Sequence, residues 1–121
     1  VRVMDLEETY AKQKLIKENL KDKRLQFRYH DARQSLLEAI VSRADRSFGR
    51  VLLAAYRAGC LYDAWQEHFS FEKWQSVFTA CGFDYRGHLQ EISLEKELPW
   101  DNIKTGVPKG YLRKEYLTAL S

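Results

Sequence analysis

The sequence Phe69-Ser70-Phe71-Glu72-Lys73-Trp74-Gln75-Ser76-Val77-Phe78-Thr79-Ala80-Cys81-Gly82 decides the fold class of this chain. Ser70 is a preferred N-cap residue, because its hydroxyl can accept a hydrogen bond from a backbone N–H of the first helical turn. Phe69 and Trp74 stand at the two positions whose contact fixes how a chain enters a helix. Apolar residues then recur at helical spacing as far as Gly82, which favours a C-terminal stop. This stretch predicts a helix with one buried face.

Similar signals on both sides predict further helices. Asp31 followed by Gln34 is a capping-box pattern, and it precedes a helical apolar stripe over residues 32–43. Asp45 or Ser47 can cap a next helix. The remaining predictions are a surface helix over 6–22, a C-terminal stop at Gly59, a short helical turn over 62–69, an irregular segment over 83–92, a short helix over 93–98, and a final helix that Pro108 opens.

One segment has the period of a strand. Residues 25–29 alternate apolar and polar side chains, and they directly follow the helix predicted over 6–22. A helix followed by a strand is half of a repeating α/β unit, and the chain offers no partner strands for it. The predicted fold class is therefore mainly α: a multi-helix domain with one short N-terminal strand that belongs to a preceding α/β barrel. Since the first residue is not methionine, we expect a piece of a longer protein.

Composition narrows the class of protein. The chain has 121 residues, of which 45% are hydrophobic and 31% charged, as in ordinary globular domains rather than disordered chains. No apolar run is long enough to cross a bilayer, and residues 1–8 lack the apolar core of a signal peptide. We therefore expect a cytoplasmic protein without a membrane partner.

The positive charge is concentrated in the first part of the chain. Residues 1–50 contain 12 Lys and Arg against 8 Asp and Glu, whereas residues 51–121 contain 8 against 9. The basic residues on and after the first helix could face phosphates, which makes RNA a candidate partner. Acidic residues are interspersed among these basic residues, which is also typical of a solvated helix face. A solvated face is the more frequent explanation of such a pattern. The nucleic-acid candidates are Lys12, Lys14, Lys21, Arg24 and Arg28.

The cysteines do not form a metal motif. Cys60 and Cys81 are the two cysteines of the chain, and each ends an apolar helical stripe. Without a C-x-x-C pair or a third thiol, they are expected to be small buried residues rather than metal ligands. The sequence predicts no metal site.

Three groups of polar residues are candidates for contact with a substrate. His30 and Asp31 follow the predicted strand, where barrel enzymes place substrate contacts, although a helix cap accounts for the aspartate. Asp63 and Glu67, four residues apart, would share a helical face beside His68, which suits either proton transfer or a plain acidic surface.

The third group lies in residues 98–109, where two prolines and a glycine indicate a rigid connection. Asp101, Thr105 and Lys109 could face a substrate from this frame. The alternative is structural, with Asp101 bonded within its own loop and Trp100 anchored in the core. The sequence leaves both open.

Three segments in the same order and at similar spacing resemble one family. They are His30-Asp31 with Ser35-Leu36-Leu37-Glu38-Ala39, Asp63-Ala64-Trp65-Gln66-Glu67-His68-Phe69, and Leu98-Pro99-Trp100-Asp101 with Thr105-Gly106-Val107. Together they resemble the region that follows the catalytic core in a family of radical S-adenosylmethionine (radical SAM) proteins. Many members also carry an N-terminal cobalamin-binding-like domain. The chain departs from the family pattern at Ala44, Ser47, Pro108 and Gly110.

The resemblance implies chemistry outside this chain. Radical SAM enzymes hold a [4Fe–4S] cluster with three thiolates of a C-x-x-x-C-x-x-C motif, which the chain lacks. The resemblance therefore implies that residues 1–30 end the catalytic barrel and that 31–121 form a helical C-terminal appendage, inactive alone. Its partner would be the upstream barrel of the same polypeptide, which would bind the cluster, S-adenosylmethionine and, in some members, cobalamin. An RNA-binding or protein-interaction module is the alternative, the latter docking through the predicted first and last helices.

Overall fold

The computed structural model describes residues 2–22, 24–104 and 106–120. These residues form six α-helices and one turn of 3-10 helix, and none of them lies in a β-strand. The fold is therefore mainly α, as predicted. The contacts divide the chain into two units, Val1–Glu91 and Ile92–Ser121. The helices are α1 (Leu6–Asn19), α2 (Ala32–Arg43), α3 (Gly49–Arg57), α4 (Phe71–Ala80), α5 (Tyr85–Leu89) and α6 (Lys109–Ala119), with the 3-10 turn at Arg46–Phe48.

Helix α4 confirms the prediction made from residues 69–82. The Ser70 hydroxyl accepts a hydrogen bond from the Lys73 N–H at 3.3 Å, so it caps the helix. Gly82 has φ +58, the left-handed conformation that a glycine adopts at the end of a helix at little cost. The buried face carries Phe71, Trp74, Val77 and Phe78.

Helix α2 has the predicted bounds and forms the other half of the core. One oxygen of Asp31 accepts from the N–H groups of Arg33 and Gln34, at 2.8 and 3.2 Å. The predicted capping box is only half formed, because the Gln34 side chain donates to the backbone oxygen of Asp63 instead. Ile40 is fully buried, and Leu36 and Leu37 are buried beside it.

Aromatic side chains fill the centre of the first unit. Phe78 lies 5.5 Å from the ring of Phe83, 5.4 Å from Tyr85 and 5.8 Å from Trp74. Such tilted arrangements place the positive edge of one ring near the negative face of another. The 3-10 turn adds Phe48 to this group of rings.

Asp45 caps the 3-10 turn, because its side chain accepts a hydrogen bond from the Ser47 N–H. Of the two predicted cap residues, Asp45 and Ser47, the structure therefore has Asp45.

The prediction of a strand over residues 25–29 is wrong. Residues 25–30 are irregular, and α1 ends at Asn19, short of the predicted residue 22. A strand needs a neighbour to receive its backbone hydrogen bonds, and no described segment pairs with this one. The alternating aromatic residues of this segment, Phe27 and Tyr29, contact each other instead, with ring centroids 5.1 Å apart.

Helix α5 forms where an irregular segment was predicted. Asp84 caps it by accepting from the Arg86 N–H at 3.0 Å. The Arg43 guanidinium donates to the backbone oxygens of His88 and Gln90, at 2.8 and 2.5 Å. This arginine lies on α2, far away in sequence, so the segment itself gives little signal of the helix.

The second unit contains α6 and the turns that precede it. Pro108 occupies the N-cap of α6, as predicted. Residues 93–98 form turns rather than the predicted short helix, and the Lys96 N–H donates to the Ser93 backbone oxygen. The structural alternative for residues 98–109 placed Trp100 in the core, but its side chain is 39% exposed. None of the described residues of this unit is buried, so the unit offers no core that could enclose an indole ring.

Over residues 2–22, 24–104 and 106–120, no helix combines the length and the apolar character required to cross a membrane.

Candidate functional site

Residues 62–68, called here the 62–68 loop, carry the densest set of candidate side chains. The loop consists of successive turns, in which the Trp65 N–H donates to the Tyr62 oxygen at 2.9 Å and the His68 N–H to the Trp65 oxygen at 3.0 Å. A short helical turn was predicted over 62–69, and the structure has these successive turns instead. Asp63 is consequently half-buried while Glu67 is exposed, so the two carboxylates do not share a helical face.

Asp63 fastens this loop to the core. Its Oδ2 atom accepts a hydrogen bond from the indole Nε1 of Trp74 at 3.2 Å, and its backbone oxygen accepts from Nε2 of Gln34 at 3.1 Å. The loop is therefore tied to both α4 and α2. The Oδ1 atom is buried without a hydrogen-bond partner. Removing the carboxylate would leave the buried indole N–H of Trp74 without its acceptor, which is unfavourable.

The outward side of the loop is aromatic. The ring of Tyr62 lies 5.6 Å from that of Trp65, inclined by 58°, and 6.0 Å from that of His68, inclined by 54°. Tyr62 and Trp65 are 66% and 55% exposed. With Glu67, these three side chains line an open cavity of about 350 Å³.

Tyr62 has an unusual backbone conformation. Its φ is +59, and it is the only described residue other than glycine with a positive φ. This region of the backbone map is unfavourable for a bulky side chain, and such strain is concentrated at functional sites. No pattern in the sequence marks this conformation, so sequence reasoning missed Tyr62 as a site residue.

His30 and Asp31 lie at the start of α2. Asp31 caps the helix, which is the structural role that was weighed for it, and His30 is exposed next to it. The Gln34 side chain, one turn further on, donates to the backbone oxygen of Asp63. Gln34 therefore joins the start of α2 to the 62–68 loop.

Two of the candidates in residues 98–109 bind each other. Nζ of Lys109 lies 2.5 Å from Oδ2 of Asp101, and the same oxygen accepts from the Leu98 N–H at 2.8 Å. The Leu98 N–H, followed by the Lys109 ammonium, lowers the pKa of the Asp101 carboxyl. Asp101 thus holds its own loop, which is the structural alternative. Thr105 lies outside the described residues.

The basic candidates are partly neutralised by neighbours. Lys14 forms an ion pair with Glu18 at 3.8 Å, and Arg24 forms one with Asp22 at 2.7 Å. The Arg28 guanidinium donates to the Gln26 side chain at 3.2 Å. Lys12 and Lys21 are exposed. Acidic or polar partners therefore lie beside three of these cations, an arrangement that is typical of a mixed-charge surface.

The cysteines do not fit the ligand set of a radical SAM cluster. Cys60 and Cys81 are free thiols, each partly buried, and the cluster needs three thiolates. Burial, followed by the negative charge of Asp63, raises the pKa of the Cys60 thiol, which favours the form that does not bind metal. Across the described residues, no three His, Cys, Asp or Glu side chains converge as metal ligands.

Comparison with protein-family models, with curated proteins and with solved structures found no match to this chain.

Proposed function

We propose that this chain is an accessory helical segment of a radical SAM enzyme. In this proposal it packs on the catalytic barrel of the same polypeptide, shapes the substrate side of that barrel and has no catalytic activity alone. The observation that carries the proposal is the outward face of α3, which is apolar and uncovered. The three family-like segments supply the identity of the partner.

Helix α3 has apolar residues around most of its circumference. Residues 51–56 read Val-Leu-Leu-Ala-Ala-Tyr, while Arg50 and Arg57, seven positions apart, share the remaining side. Val51 and Ala55 are buried in the unit, but Leu52, Leu53 and Tyr56 are 45%, 50% and 64% exposed. We call these three side chains the α3 outer face. Their exposure is accounted for if another folded body covers them.

Helix α1 supports the same proposal. It has no buried residue, and Leu15 and Ile16 are 60% and 44% exposed. A helix of this kind gains little from its own unit, because burial of an apolar face supplies most helical stability in proteins. In the proposal, α1 closes the end of the barrel and gains its burial there.

The proposal places the cofactors in the barrel. A [4Fe–4S] cluster and S-adenosylmethionine, with cobalamin in some relatives, would be bound by upstream residues, since this chain supplies two partly buried thiols. The cluster would supply electrons for cleavage of S-adenosylmethionine. The residues of this chain would cover the substrate side of the barrel and help to position the substrate. The proposal places the protein in the cytoplasm.

The test uses the full-length protein. Its sequence upstream of residue 1 should contain a C-x-x-x-C-x-x-C motif. The anaerobically reconstituted protein should then show the electron paramagnetic resonance signal of a reduced [4Fe–4S] cluster, altered by S-adenosylmethionine. The 121-residue chain, treated in the same way, is the control and should bind no cluster. A full-length protein without this motif would refute the proposal.

A further inference from the structure

We propose that the 62–68 loop binds an alkylated ammonium group, such as that of choline or of a methylated lysine. The site consists of Tyr62, Trp65, Glu67 and His68, which line the same open cavity. The inference does not depend on a radical SAM parent, because it rests on this cavity and not on the α3 outer face.

The ring geometry favours a compact cation. Tyr62 is inclined by 58° to Trp65 and by 54° to His68, so the rings form walls that meet at an angle. A planar base stacks best on parallel faces, whereas a rounded cation can approach several inclined faces at once. The electron-rich faces of tryptophan and tyrosine attract such a cation most strongly.

The charge at the cavity has the complementary sign. Glu67 forms no ion pair with any residue that the structure describes, so its carboxylate is available to a ligand. No lysine or arginine is among the residues that line the cavity. An anionic ligand would meet the carboxylate and the negative ring faces, and we therefore exclude a phosphate as the preferred group.

The loop is held in place before any ligand binds. Asp63 ties it to Trp74 and Gln34, and the Tyr62 backbone is already in its unfavourable conformation at φ +59. Strain of this kind persists only when the surroundings impose it, and it is concentrated at binding sites. The open cavity of about 350 Å³ leaves room for a trimethylammonium group to lie against the rings while it still faces solvent.

Methylated ammonium groups suit the site better than a primary ammonium. Each methyl group replaces a strongly hydrated N–H, so less water must be removed when the cation meets the rings. Recognition of quaternary ammonium by aromatic side chains is a recurring use of cation–π attraction. The ligand could be a small molecule or a modified protein side chain, and both present the same group.

The test compares choline with its neutral isostere, 3,3-dimethylbutan-1-ol. NMR titration of the 121-residue chain should show a saturable shift of the Trp65 indole signals with choline. The isostere has the same shape without the charge, and we expect it to bind roughly tenfold more weakly. Equal affinities would overturn the proposal, because the rings would then be only an apolar surface.

Variants assign the binding to the loop. Trp65→Ala and Glu67→Gln should each weaken choline binding several-fold, and both residues are exposed, so the fold should be retained. Tyr56→Ala removes an equally exposed aromatic ring from α3 and should leave the affinity unchanged. Unchanged binding in Trp65→Ala would overturn the site. A parallel titration with Nε-trimethyllysine distinguishes the two sources of the group, and binding of either supports the proposal.

Discussion

At the scale of single residues, Asp63 and Trp74 form the contact on which the candidate site depends. The indole N–H is donated to a carboxylate whose other oxygen is buried and unpaired. Removing one partner of such a contact leaves a buried polar group without its bond, whereas removing both can be nearly neutral. The pair should therefore behave non-additively.

Trp74→Phe should destabilise the chain by about 1–3 kcal/mol, because the Asp63 carboxylate would lose its donor. Combined with Asp63→Ala, the same change should cost clearly less than it does alone. Urea unfolding of the two single variants and the double variant measures this coupling. Additive free energies of unfolding would show that the contact carries no energy of its own.

Trp100 is the residue where sequence and structure disagree most. The structural alternative made the indole between proline and aspartate an anchor in the core, which would make Trp100→Ala costly. With its side chain 39% exposed, this substitution should change the free energy of unfolding by less than about 1 kcal/mol. Urea unfolding checks it against Trp74→Ala, the substitution of a buried tryptophan, which should cost about 3–5 kcal/mol.

At the scale of elements, the start of α1 is built from a local charge cluster. The Glu8 N–H donates to Asp5 at 2.9 Å, and the Asp5 N–H returns a bond to Glu8 at 3.4 Å. The Arg2 guanidinium donates to both oxygens of Glu8, at 2.6 and 2.5 Å. These hydrogen bonds from Arg2 are the main reason why the pKa of Glu8 falls to about 2.

This cluster should make α1 sensitive to acid. Since the pKa of Glu8 is lowered on folding from 4.5 to about 2, its contribution is present above pH 4.5 and is lost as the pH falls towards 2. An NMR titration of the Glu8 carboxyl carbon should give a midpoint well below 4.5. In Arg2→Ala the midpoint should rise, and an identical midpoint in both proteins would disprove the role of Arg2.

Elements also show which parts of the fold a sequence can predict. The bounds of α2 and the caps of α4 and α6 were predictable, because caps and apolar stripes are local signals. The prediction of a strand over 25–29 was wrong. Alternating side chains are a local signal, whereas a strand also needs a second segment to pair with, and the alternation does not reveal whether one exists. Helix α5 was missed because Arg43, which holds it, lies on another helix.

The candidate site was only partly predictable for the same reason. Asp63 and His68 were identified from the sequence, but the bond from Gln34 joins residues that are 29 positions apart. The positive φ of Tyr62 has no sequence signal, because tyrosine rarely adopts it. The pairing of Asp101 with Lys109 closes a short loop, and their opposite charges were the only local indication.

At the scale of the whole molecule, the burial of apolar side chains is uneven. The first unit has a core of buried residues from α2, α3, α4 and α5, yet α3 keeps an apolar outer face and α1 has no buried residue. In the proposal, another folded body covers these exposed apolar side chains. We propose that the covering body belongs to the same polypeptide.

The most direct test is side-chain footprinting of the α3 outer face by hydroxyl radicals. Leu52, Leu53 and Tyr56 should react readily in the 121-residue chain and be strongly protected in the full-length protein. Val41, an exposed apolar residue of α2, serves as the internal reference within each sample. Equal reactivity of the α3 outer face in both proteins would contradict the account, since nothing upstream would then cover it.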